Sequence, residues 1–164
     1  MKSFILLIFI INFFILSQEA CLSGDCENGI GVLKASDGSI YEGQFVNGRL
    51  EGKGKASFPD GSVYQGRFKN GTAHGKGRYV KPDGEQYVGN FKEGLYDGNG
   101  KMITKEGNYY EGQFKNDLFH GSGYMRYRNG EVFFGKWVNG KRHGKGTVYK
   151  KAYSGRWEND VRVN

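Results

Sequence analysis

The chain has 164 residues, the size of one modest domain. Its 28 glycines against 2 prolines, with 15% aromatic residues, exclude a disordered chain, which is poor in rings, and point to short strands joined by tight turns. A net charge of +7 favours attraction to anionic surfaces but specifies none, because the lysines and arginines are spread throughout as on a solvated basic face.

In chain order, the first segment is a leader. Lys2 precedes an apolar run from Phe4 to Leu16 broken by Asn12, and Ser17-Gln18-Glu19-Ala20 then turns polar. The run is shorter than the roughly 20 apolar residues of a membrane span. Its layout is that of a helical signal peptide over residues 1–20, so the chain is expected to be exported to the cell envelope or surface, lipid-anchored or secreted. Cys21 and Cys26 follow at once. An oxidising compartment would join them as a disulfide. The alternative is lipidation of Cys21, in a setting that resembles a lipobox: Ala20 suits it, whereas Gln18 stands where leucine is preferred. Two cysteines are a weak metal signal, since zinc takes four ligands, or three and water.

Beyond residue 38 the sequence repeats. Tyr41-x-Gly43-x-Phe45 recurs as Tyr64-x-Gly66-x-Phe68, Tyr87-x-Gly89-x-Phe91 and Tyr110-x-Gly112-x-Phe114, then as Phe133-x-Gly135-x-Trp137 and Tyr153-x-Gly155-x-Trp157. The first five copies are 23 residues apart and the last step is 20. A Gly-x-Gly marker at Gly52, Gly75, Gly98, Gly121 and Gly144 keeps the same register, and Gly29-x-Gly31 precedes it by one period. Residues 21–38 are therefore a cysteine-containing segment and half repeat, and 39–164 hold five full units and one truncated unit without its return strand.

Each unit reads as a hairpin. Strand alternation puts the tyrosine, glycine and phenylalanine on one face. Asn47-Gly48, Asn70-Gly71 and Asn139-Gly140 suit turns that need positive φ. On the return strand Leu33, Ala56, Tyr79, Met102, Met125 and Val148 form an apolar column. One hairpin cannot bury its rings alone, so the units must stack, and the strand glycines leave room for rings to lie on the sheet. The expected fold is all-β: a single-layer antiparallel hairpin meander, twisted and curved, with aromatic rows inside.

The Tyr-x-Gly-x-Phe, Asn-Gly and His-Gly-x-Gly pattern at this period resembles MORN repeats over about residues 29–160. The resemblance implies a hairpin solenoid used for association, with phospholipid or protein as the ligand. Phe133 in place of tyrosine, Trp137 and Trp157 in place of phenylalanine, and Asp117 in place of the turn glycine depart mildly from it.

No catalytic constellation emerges. His74, His120 and His143 share one position in the unit, and equivalent positions in adjacent hairpins lie about 10 Å apart, beyond the ~4 Å that ligating nitrogens need. Gly-Lys-Gly lacks the helix of a phosphate loop. Glu42 and Glu111 share an outward column without forming an acid pair, and no serine or cysteine stands with a base. No cofactor, metal or nucleic acid is expected.

Binding residues are sought on both faces. The inner rows either pack as core or also form a groove. Outward, Lys55, Arg78 and Lys101, with Arg67 and Lys136 on partner strands, form a basic strip for anionic lipid. The outward column Ile40, Val63, Gln86, Tyr109 and Val132, with Val88 and Phe134 beside it, is either a contact surface or cross-strand packing. The expectation is an exported, non-catalytic module that binds a protein or itself through the terminal strand, with anionic phospholipid as the alternative.

Overall fold

The computed structural model describes residues 19–149 and the backbone of 156–158 and 161–163. All but the last two residues of the expected leader, together with Tyr153 and Gly155, lie outside the described residues. Twelve antiparallel strands follow one another without crossover in one sheet. These are β1 (Ala20–Gly24), β2 (Ile30–Lys34), β3 (Ile40–Val46), β4 (Arg49–Ser57), β5 (Val63–Lys69), β6 (Thr72–Val80), β7 (Gln86–Lys92), β8 (Leu95–Ile103), β9 (Tyr109–Lys115), β10 (Leu118–Arg126), β11 (Val132–Val138) and β12 (Lys141–Tyr149). A separate two-stranded sheet pairs β13 (Arg156–Glu158) with β14 (Val161–Val163). Trp157 thus lies on a strand whose partner follows it, where the sequence reading expected no return strand. Among the described residues there is no helix, and none long and apolar enough to cross a membrane.

One row organises the inner face. Gly24, Gly31, Gly43, Gly54, Gly66, Gly77, Gly89, Gly100, Gly112, Gly123, Gly135 and Gly146 pair successively across all twelve strands. Rings lie on this row. A Cβ at Gly66 or Gly77 would come within 2.5 Å of the Tyr64 hydroxyl, so each unit keeps the flat floor its tyrosine needs. The adjacent row holds Tyr64, Tyr87, Met102, Tyr110, Met125 and Phe133, all buried. Among the described residues no second layer covers the sheet, and burial comes from rings closing on one another. Tyr64 meets Phe68 and Phe91 edge-on, at 5.0 and 4.8 Å between centroids. Tyr87 repeats this with Phe91 and Phe114, and Tyr110 with Phe114 and Trp137. Such pairs are worth about 0.5–1.5 kcal/mol each beyond the area they bury.

The hairpin turns behave as Asn-Gly predicts: Asn47 and Gly48 have φ of 49° and 70°, the signature of a turn with two left-handed residues. Each turn also ties to the preceding unit. Gly71 N–H donates to the Leu50 carbonyl, Gly94 to Ala73, Asp117 to Tyr96 and Gly140 to Phe119. The longer connections between units are closed by carboxylates or amides over backbone N–H groups, as where Asp60 accepts from Ser62 N at 2.8 Å.

The first unit departs from the pattern. Leu50, not Tyr41, sits over Gly43 and Gly54, and it is 2% exposed. Tyr41 is half-buried and turns toward Phe58, 6.5 Å away and edge-on. In the half repeat the ring position is filled by sulfur: Cys26 lies against Gly31 and is joined to Cys21 by a disulfide.

Candidate binding groove

Where the sequence placed candidate ligands, the outer face gives a mixed answer. Val32, Glu42, Lys55, Gln65, Arg78, Val88, Lys101, Glu111, Tyr124, Phe134 and Thr147 form one continuous cross-strand row. Lys55, Arg78 and Lys101 are brought into line, but each pair is separated by a neutral residue and the row carries Glu42 and Glu111. Lys101 Nζ is 3.1 Å from Glu111 Oε1, and Arg78 donates to Gln86. Arg67 and Lys136 occupy a parallel row, where Lys136 donates to Ser122 Oγ at 2.9 Å. The three cations of the expected basic strip thus lie in line, spaced by Gln65 and Val88 and bounded by Glu42 and Glu111.

Tyr109 donates to Glu111 at 2.7 Å, with Arg126 5.7 Å over its ring, and Phe134 stands 59% exposed. The apolar outward column interleaves with Ser57, Val80, Ile103, Arg126 and Tyr149 of the return strands, so that Val63 pairs with Val80 and Ile103 with Tyr109. Ile40, Val88, Ile103 and Phe134 remain exposed on this face.

His74, His120 and His143 lie on β6, β10 and β12, and no group of three or more His, Cys, Asp or Glu comes together among the described residues. His120 is half-buried with its Nδ1 unpartnered.

The inner face holds what the sequence reading passed over. Two residues after each Asn-Gly-type turn comes a column of Leu50, Ala73, Tyr96, Phe119 and Arg142. Its alternation parity with the Gly-x-Gly marker was the signal available. In three units this side chain covers the ring beneath it. Tyr96 stacks on Tyr87 at 3.8 Å with planes 12° apart, Phe119 stacks on Tyr110 at 4.1 Å, and Arg142 lies over Phe133 at 4.6 Å. In the second unit the position is Ala73, and there the layer has a gap.

That gap opens a groove of about 670 Å³. Half-buried Tyr41, Phe58 and Tyr79 line it, in edge-on contact with one another through Phe58, and Tyr64, Phe91, Tyr96 and Met102 lie beneath. Lys81, ion-paired with Glu85, and Asp117 also line it. Tyr79 donates to Ser62 Oγ at 2.9 Å.

Burial pushes the Tyr64 hydroxyl up to about 12, against the opposing hydrogen bond to the Arg67 carbonyl. Burial, followed by the field of Glu85, raises Tyr96 well above the phenol range, with Asp117 adding to it. The Glu85 hydrogen bond holds the Lys81 ammonium above its ordinary value. Tyr64 and Tyr96 therefore keep their protons at physiological pH, and the arrangement can offer ring faces, hydroxyls and carboxylates to a bound group.

A single twisted sheet built from stacked hairpins, with an aromatic inner face and no assembled reactive groups among its described residues, defines a repeat scaffold of the solenoid class. The MORN repeat matches residues 41–63, 64–86, 87–109, 110–132 and 133–150, and the chain belongs to that family. No curated protein sequence matches it. Among solved structures, the chain is similar to the TCP domain of SAS-4 (dCPAP) of Drosophila melanogaster, in complex with a proline rich motif of Ana2 (dSTIL). The two share 12% identity over 74% of this chain and 72% of that one, with a TM-score of 0.42. It is similar also to the TCP10 domain of Danio rerio CPAP, in complex with a peptide of STIL, at 18% identity and a TM-score of 0.37. That likeness covers 73% of this chain and 59% of the other.

Proposed function

We propose that this chain is an exported, non-catalytic binding module that mediates protein association at the cell envelope or surface, and that it takes its partner on the inner aromatic face. The observation that carries this reading is the groove over Ala73, where the third and fourth units close their ring layer and the second does not. A cleft with an apolar floor and a few convergent polar groups is the usual form of a ligand site. The Cys21–Cys26 disulfide supports export, because such bonds persist in oxidising compartments. The family's repeats serve association, and the groove residues include no nucleophile held by a base.

The test is site-specific photo-crosslinking in the native envelope, with the reactive side chain placed at Ala73 or, as a control, at outward-facing Val88. A defined adduct from position 73 and none from 88 is expected. Adducts from neither position would end the reading. Flotation of residues 19–164 with anionic vesicles, abolished by salt and by Lys55→Glu with Lys101→Glu, would replace it with the phospholipid alternative.

A further inference from the structure

The chain carries its own template for what the groove holds. Arg142 occupies in the fifth unit the place that Ala73 occupies in the second, three 23-residue periods earlier. Its guanidinium lies 4.6 Å over the Phe133 ring and 4.9 Å over the Tyr127 ring. It donates to Tyr127 Oη at 3.1 Å and to Glu131 Oε1 at 2.9 Å. Two rings, a hydroxyl and a carboxylate thus hold one guanidinium on the inner face.

Three periods earlier, the two ring positions are Phe58 and Tyr64, and both line the groove. Tyr41, the ring position of the first unit, has alanine at residue 35 where Tyr64 has Phe58, and Tyr87 has lysine at residue 81. Tyr110 has threonine at residue 104. Only the second unit repeats the two-ring seat of the fifth, and its own side chain there is a methyl group. The carboxylate position is Ser62, but Glu85 and Asp117 line the same groove. Lys81 is the one cation among the lining residues and is paired with Glu85, which leaves an acidic excess in a chain of net charge +7.

We propose that the groove receives an arginine side chain from an extended segment of a partner protein, its guanidinium lying over Phe58 and Tyr64 in the space above Ala73. This rests on the inner-face reading above and specifies its ligand. A planar guanidinium stacks on ring faces and forks to carboxylates in a way that an ammonium does not. The Tyr96 phenol, raised by burial, complements it without competing charge.

The experiment titrates the oxidised full chain with a capped heptapeptide of small neutral residues around one central arginine, and with its citrulline twin, which keeps the shape and loses the charge. Binding is followed by the ring resonances of Phe58 and Tyr64. The arginine peptide is expected to shift these resonances and to bind about fivefold or more tighter than citrulline, the order set by a cation over an aromatic face. Ala73→Arg should place a guanidinium in the seat from within and abolish binding with the fold intact. Phe58→Leu, which keeps the groove apolar, should erase the preference for arginine, and it serves should Ala73→Arg not fold. Equal binding of both peptides overturns the proposal but leaves protein association standing, provided that crosslinking at Ala73 succeeds. Shifts confined to outer-face residues around Glu42 and Glu111, or no shifts at all, also overturn it.

Discussion

Tyr64 folds back over its own strand and donates its phenolic proton to the main-chain carbonyl of Arg67 at 2.8 Å. The same bond recurs from Tyr87 to Asn90 and from Tyr110 to Gln113. It fixes each ring flat across two paired glycines, so a ring, a carbonyl and a bare patch of sheet form one unit of stability. Gly77→Ala would drive a methyl group into that ring. A loss of about 1–3 kcal/mol is expected, the usual cost of overpacking, seen as a lower thermal midpoint. An unchanged midpoint would mean that the ring does not rest on the glycine row.

The buried phenols make stability fall in alkali. For Tyr64 and Tyr110 the folded value is raised from 10.0 to about 12, so the folded state holds the proton more tightly than the unfolded chain. The associated stability is complete below pH 10 and is lost as pH rises from 10 through about 12. Denaturant midpoints should decline over that window, and tyrosinate absorbance should rise late and together with unfolding. Simple titration near pH 10, with the fold retained, would contradict this.

Asp117 stands at φ 66°, where the other hairpin turns place glycine, and its carboxylate accepts from the Tyr96 N–H at 2.7 Å. The short polar side chain both tolerates the left-handed backbone and caps a neighbouring unit. Asp117→Ala loses the cap and keeps the strain, for an expected cost of about 1–3 kcal/mol. Asp117→Asn keeps an acceptor and should stay within about 0.5 kcal/mol of the parent in urea unfolding.

The Cys21–Cys26 disulfide closes a short loop at the first edge of the sheet, with Cys26 packed where other units have a ring. Reduction should cost about 2 kcal/mol, as expected for a loop of this length. Hydrogen exchange should accelerate in β1 and β2 and be unchanged from β5 onward, since stacked hairpins depend mainly on their neighbours. Loss of protection throughout the sheet would show instead that the disulfide governs the whole array.

Much of this architecture was legible in the sequence because its cause is local. A period of two places Tyr64, Gly66 and Phe68 on one face, and Asn-Gly demands a tight turn, whatever the rest of the chain does. The groove was harder to read. Ala73 is an unremarkable residue until Tyr96, Phe119 and Arg142 are seen covering the equivalent rings. The outer row of Lys55, Arg78 and Lys101 follows from the repeat, whereas the pairing of Glu111 with Lys101 across strands does not.

The sequence by itself determined the hairpin period, the two faces, the glycine row and the membership of the repeat family, since each follows from spacing within a unit. Only the tertiary structure decided that Leu50 replaces Tyr41 over the first glycine pair, that Cys21 joins Cys26, and that the ring layer opens at Ala73 while Arg142 closes it over Phe133. These outcomes depend on which side chain reaches a given volume first, among residues on neighbouring strands and in neighbouring units. That competition is settled by packing, on which the spacing of residues along one strand places no constraint.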